Sequence, residues 1–166
     1  MKVCKNIVFL SLAAIVVMMF SAPINAQFIE NKRGTIREQI EKSPLFNDKV
    51  QIDDPLIAEM LDYAATFKGT KYRLGATGPK RFDCSGFTSY VFAHVGYKLD
   101  RTSRQQVTNG KEVEINELQP GDLVFTYGGD HVGIYVGGGS YIHAPQPGDS
   151  VKVSPVTSFY TARRVL

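Results

Sequence analysis

The hydrophobic positions of this chain change period near residue 118, from helical spacing before it to alternation after it. Asp54-Pro55 reads as a helix cap followed by a first-turn proline, and Leu56, Ile57, Met60, Leu61, Ala64 and Phe67 then trace one face as far as Gly69. Thr70 to Phe82 carries Gly75, Gly78 and Pro79 among basic residues and reads as a loop. Phe87, Val91 and Val95 recur at four-residue spacing, with Tyr90 one position off the stripe, until Gly96. That pattern predicts a short amphipathic helix with Asp83 as cap and Cys84 in its first turn. Another short helix is expected to open at Thr102 or Ser103. From Leu118 the segments LQPGDLVFTY, GGDHVGIYV, SYIHA, Val151 to Ser154 and ARRVL predict strands separated by glycine and proline turns.

The two strands flanking Gly137-Gly138-Gly139 allow a sharper expectation, because antiparallel partners have residue numbers that sum to a constant. A turn centred on Gly137 or Gly138 makes that sum even. His131 and His143 then share one face with Gly133, Tyr135 and Tyr141, while Val132, Ile134, Val136, Ile142 and Ala144 take the other. The uniformly apolar second face favours this register, which a two-residue turn would break.

Residues 1–26 have the three parts of a secretory signal: Lys2 and Lys5, an apolar run from Ile7 to Phe20, and Ile24-Asn25-Ala26 as a cleavage site. The run is short for a permanent anchor, and Cys4 precedes it, so an exported, soluble product of 140 residues is expected, periplasmic or extracellular. Residues 27–53 read as an N-terminal arm, with Thr35 and Glu38 as a possible capping box, and 54–166 as one domain. Cleavage leaves 17 of the 19 basic residues against 16 acidic ones, a formal charge of +1 rather than +3. So small a charge gives no support to nucleic-acid or anionic-membrane binding. Cys84 is then the sole cysteine, and no intrachain disulfide can form. In an oxidising compartment such a residue is a buried small hydrophobe, an intermolecular link or a thiol kept for reactivity.

A cysteine at a helix start, where the helix dipole favours thiolate, and two histidines on one sheet face supply the parts of thiol nucleophile catalysis. Cys84 would attack a carbonyl carbon, His131 would take its proton, and His143 would orient His131. Tyr72, if its loop brings it near, could join a helix-start N–H in stabilising an oxyanion. His94 lies ten residues beyond Cys84 on the same helix, about 15 Å along the axis, and reads as structural. Zinc is the rival, since Cys84, His131, His143 and Asp130 are acceptable ligands, but no paired ligand spacing such as Cys-x-x-Cys accompanies them.

At these positions the chain resembles the NlpC family of papain-like cell-wall peptidases. The matching stretches are Tyr72-Arg73-Leu74-Gly75, Asp83-Cys84-Ser85-Gly86-Phe87, Arg101 to Gln106, Leu118-Gln119-Pro120-Gly121-Asp122-Leu123, His131 to Tyr135, and Ile142-His143-Ala144. They run in the family's order over about Pro55 to Leu166, with Asp100 standing where the family often has proline. The resemblance implies a papain-like α+β fold, with N-terminal helices and the nucleophile helix packed on an antiparallel sheet of about five strands. It implies hydrolysis of murein stem peptides, commonly at the bond from γ-D-glutamyl to a diamino acid; no metal or cofactor is expected. It makes Cys84 nucleophile, His131 base, His143 orienting residue and Tyr72 the oxyanion or thiolate partner. Asp83, Ser85, Arg101, Thr102 and Ser103 would line the acceptor of the peptide's amine and carboxylates. A catalytically silent muropeptide-binding domain and an amidase or acyltransferase on the same scaffold are the alternatives. Nothing in the sequence speaks to oligomeric state.

Overall fold

A computed structural model describes residues 52–166. The signal segment and most of the arm, including the possible capping box at Thr35, lie outside the described residues.

Helix α1 spans Pro55–Ala65, and Asp54 caps it by accepting from the Leu56 N–H at 2.8 Å. Helix α2 spans Cys84–His94, and α3 is the single turn Ser103–Gln106, opened by a reciprocal capping box between Thr102 and Gln105. His94 is structural as expected: its ring stacks on Tyr63 of α1 at 3.7 Å and its Nε2 lies 3.5 Å from Glu59. Gln106 is fully buried. Its Oε1 accepts from Thr88 Oγ1 at 2.7 Å, and its Nε2 donates to Ser89 Oγ at 2.9 Å and to the Asp100 carbonyl at 2.8 Å. One side chain thus ties α3 and the preceding loop to the middle of α2. Asp100 is accommodated by Asn109, which accepts the Asp100 N–H at 2.9 Å and returns a bond to its carboxylate at 2.8 Å.

Strands β1 (Lys111–Val113), β2 (Leu123–Thr126), β3 (His131–Gly137), β4 (Ser140–His143), β5 (Lys152–Pro155) and β6 (Phe159–Arg164) form one antiparallel sheet in the order β1-β6-β2-β3-β4-β5. The sheet therefore has six strands where about five are expected. β1 is a three-residue edge with one buried position, too short to show alternation. Asp122, at the start of β2, is buried and paired through both oxygens with Arg164, at 2.8 Å each. This pair fastens the C-terminal strand beside β2.

The register places Ile134 opposite Ile142 and Tyr135 opposite Tyr141, the even sum expected from the apolar pattern. The turn itself differs. Gly137 pairs with Ser140 around the two-residue loop Gly138-Gly139, both at positive φ (58° and 71°), and a register shift between Tyr135 and Gly137 restores the even sum. A two-residue turn is therefore compatible with the histidine face, because the bulge absorbs its odd residue.

The apolar face, with Val132, Ile134, Val136, Ile142 and Ala144, packs against Met60, Leu61 and Ala64 of α1 and Phe87, Val91 and Phe92 of α2 to make the main core. A smaller cluster of Val113, Val124, Tyr141 and Ala162 occupies the opposite face. Among the described residues no helix is long and apolar enough to cross a membrane.

Candidate active site

The helix carrying the thiol is held at its first turn by a saturated carboxylate. Asp83 is 4 % exposed, and its Oδ1 accepts from the Gly86 N–H at 2.7 Å, which makes it the cap of α2. Its Oδ2 accepts from the Gly75 N–H at 2.8 Å, and Arg101 forks onto both oxygens at 2.6 and 3.1 Å. The loop before the helix is thereby pinned to the helix start. Gly86 is required there: a Cβ would strike the Ala76 carbonyl and come within 2.9 Å of Asp83 Oδ1. The five residues expected to line a substrate acceptor differ in access. Arg101 and Thr102 are exposed, whereas Asp83, Ser85 and Ser103 are buried. Ser85 Oγ accepts from Arg101 Nη1 at 3.1 Å, so Arg101 is the solvent-facing end of this network.

Cys84 is half-buried at the first position of α2, and the backbone N–H groups of Val132 and Ser85 face its sulfur. Val132 follows His131, so the thiol meets the sheet at the head of β3. Burial nevertheless pushes the thiol above its ordinary range, and the neighbouring Asp83 carboxylate adds to this, against the lowering by those two N–H groups. A helix start alone would shift the thiol in the opposite direction. The difference comes first from burial of the sulfur and then from the negative cap that this helix start requires.

His131 Nε2 lies 2.7 Å from His143 Nδ1, with the rings nearly perpendicular, and His143 Nε2 lies 3.0 Å from Ser154 Oγ. The ring–ring bond leaves Nδ1 as the free nitrogen of His131. Burial pushes His131 down to about 4 and His143 to about 3, the latter also through its histidine neighbour and Lys152. Both rings are therefore neutral near neutral pH. Tyr141 stacks against His143 at 4.2 Å and meets His131 edge-on at 6.1 Å. Gly133 makes this packing possible, since a Cβ there would come within 2.8 Å of the Ile142 carbonyl and 2.9 Å of His143 Cβ.

Tyr72 is half-buried on the loop, its N–H bonded to the Asp149 carbonyl at 3.0 Å. Burial raises its hydroxyl pKa, and the charges of Cys84 and Asp83 add to this against the lowering by Arg101. For the zinc alternative, Asp130 Oδ1 is turned to Arg104 at 2.7 Å and His143 Nδ1 to His131, and no group of three or more His, Cys, Asp or Glu residues among the described residues is placed to hold a metal ion. Ser154 and Tyr141 carry no role in the sequence reading. Pairing across the β3–β4 hairpin is readable from parity, but β5 follows the loop Pro145-Gln146-Pro147-Gly148, which has no parity to read.

The model of the NlpC/P60 family matches residues 69–166. A probable endopeptidase of Corynebacterium glutamicum is 49 % identical over 86 residues, covering 51 % of this chain and 41 % of its own. The probable endopeptidase p60 of Listeria grayi is 51 % identical over 86 residues, covering 50 % of this chain and 17 % of its own. The chain thus spans less than half the length of these curated relatives. The crystal structure of the NlpC/p60 domain of the peptidoglycan hydrolase SagA is similar at 38 % identity with a TM-score of 0.62, over 65 % of this chain and 97 % of that domain.

Proposed function

The chain belongs to the NlpC/P60 family, and from that premise we propose that it is an exported cysteine endopeptidase acting on peptidoglycan stem peptides. The observation that carries the reading is the 2.7 Å ring–ring bond of His131 and His143 beside the head of the helix that starts with Cys84. The relatives named endopeptidases and the structure named a peptidoglycan hydrolase domain support the substrate class.

The chemistry follows from two neutral partners. His131 Nδ1 takes the thiol proton as the sulfur attacks the peptide carbonyl carbon, forming a C–S bond and an oxyanion. His131 Nε2–H donates to His143 Nδ1 and spreads the new positive charge. The Ser85 N–H and the Tyr72 hydroxyl stabilise the oxyanion; one such donor is worth about 3 kcal/mol of barrier. Collapse breaks the C–N bond, with the imidazolium proton going to the leaving amine. Water, deprotonated by His131, then cleaves the thioester and restores the thiol. Arg101 and Thr102 offer exposed polar groups for the charged ends of the stem peptide, with Asp83, Ser85 and Ser103 behind them. The bond proposed is that from γ-D-glutamyl to the diamino acid, and export rests on the N-terminal signal pattern.

Defined muropeptides digested with the protein and weighed by mass spectrometry test this reading. The expected products are two fragments whose masses place the cut after the γ-D-glutamyl residue, with one water added. Release of the whole stem from its sugar would instead identify an amidase, a transferred acyl group an acyltransferase, and binding without turnover a silent domain.

A further inference from the structure

The relay leading away from the sulfur continues past His143. We propose that Ser154 is a positioning residue for this centre, its hydroxyl oxygen accepting the His143 Nε2–H and thereby setting the tautomer of both rings. The proposal rests on the catalytic reading given above.

A neutral imidazole carries one proton on two nitrogens, so a chain of two rings has a direction. For His131 Nδ1 to hold a lone pair toward the thiol, His131 Nε2 must carry the proton and donate to His143 Nδ1, 2.7 Å away. His143 Nδ1 must then be bare, which puts the proton of His143 on Nε2. That N–H points at Ser154 Oγ, 3.0 Å away, and needs an acceptor there. In the reverse direction Ser154 would donate, and His131 would present an N–H to the thiol and could not act as base. Once His131 is protonated, only the first direction satisfies both rings.

The other groups around His143 leave this acceptor role to Ser154. Tyr141 offers its ring face, at 4.2 Å. Lys152 can only donate, and both oxygens of the nearby Asp149 carboxylate are engaged elsewhere, accepting from Lys152 Nζ at 2.6 Å and from the Ser150 N–H at 2.8 Å. The fold also fixes the placement. Ser154 pairs with Tyr141 and Lys152 with His143, so Ser154 lies diagonally across from His143 on the same sheet face.

The test compares wild type, Ser154→Ala and Ser154→Thr in the full chain, by muropeptide kinetics and by ¹⁵N spectra of the imidazoles. Ser154→Ala is expected to lower kcat about tenfold or more with little change in KM, the effect of losing a group that orients a site residue. Ser154→Thr, which keeps the hydroxyl, is expected to recover most of it. The spectra should show His143 protonated at Nε2 in wild type and as a mixture of tautomers in Ser154→Ala. An unchanged kcat in Ser154→Ala, equal losses in Ala and Thr with an unchanged tautomer, or a wild-type His143 protonated at Nδ1 would each overturn the proposal. If wild type cleaves nothing while the spectra show the Nε2 tautomer and its loss in Ser154→Ala, the hydrolase reading fails and the tautomer assignment stands.

Discussion

Cys84 and His131 begin the reaction uncharged on this account, because burial acts on both in the direction of neutrality. The acid limb of kcat/KM should then follow protonation of His131 and lie near 4, well below the ordinary 6.5 of histidine. A pH–rate profile on a soluble muropeptide checks this, and an acid limb at the unperturbed value would contradict it. The same burial has a stability consequence. Between about 6.5 and 4 the unfolded chain binds protons at His131 and His143 that the folded chain refuses, so their contribution is present above about 6.5 and is lost as pH falls. Asp62, raised to about 6 by burial, works in the opposite sense over part of that window, since there the folded state binds the proton first. The informative quantity is therefore a difference. Replacing both histidines by asparagine should flatten the fall of Tm between pH 6.5 and 4 relative to wild type. At this scale the positions proposed as reactive groups can be read from the sequence, but the direction of the thiol's pKa cannot, because it is set by burial in the fold and then by the carboxylate of the cap that α2 itself needs.

Among the elements, the β3–β4 hairpin was the most legible, since a period of two assigns faces without any knowledge of the turn. The bulge near Val136 was not legible, because it depends on how Gly138-Gly139 closes the turn rather than on polarity. The cap network was half-legible. Asp83 reads as a cap from its neighbours, but Gly75 and Arg101, 8 and 18 residues away, reach it only through the fold. Gly133 lies where β3, β4 and the two histidines meet. Gly133→Ala would push a methyl toward the Ile142 carbonyl and His143 Cβ, forcing β3 and β4 apart beneath the histidines. The expected result is a loss of about 1–3 kcal/mol in chemical denaturation, together with a larger fractional loss of turnover. Wild-type turnover in a stably folded Gly133→Ala would contradict the packing described.

Over the whole described domain, helix spacing before residue 118 and alternation after it led to the observed α+β fold because the apolar faces of α1, α2 and the sheet meet in the main core, with a smaller cluster on the sheet's other face. The sixth strand was hidden by its shortness, and the place of β5 by a loop without a readable register. That core fixes the head of α2 against the head of β3. On this account hydrolysis begins at that thiol and depends on the two rings behind it. The most direct measurement is turnover of a defined muropeptide by wild type and Cys84→Ala side by side, with binding of the same muropeptide followed by calorimetry. Cleavage by wild type is expected, and unaltered binding with turnover lowered by at least about a thousandfold in Cys84→Ala. Cleavage by Cys84→Ala at the wild-type rate would contradict it.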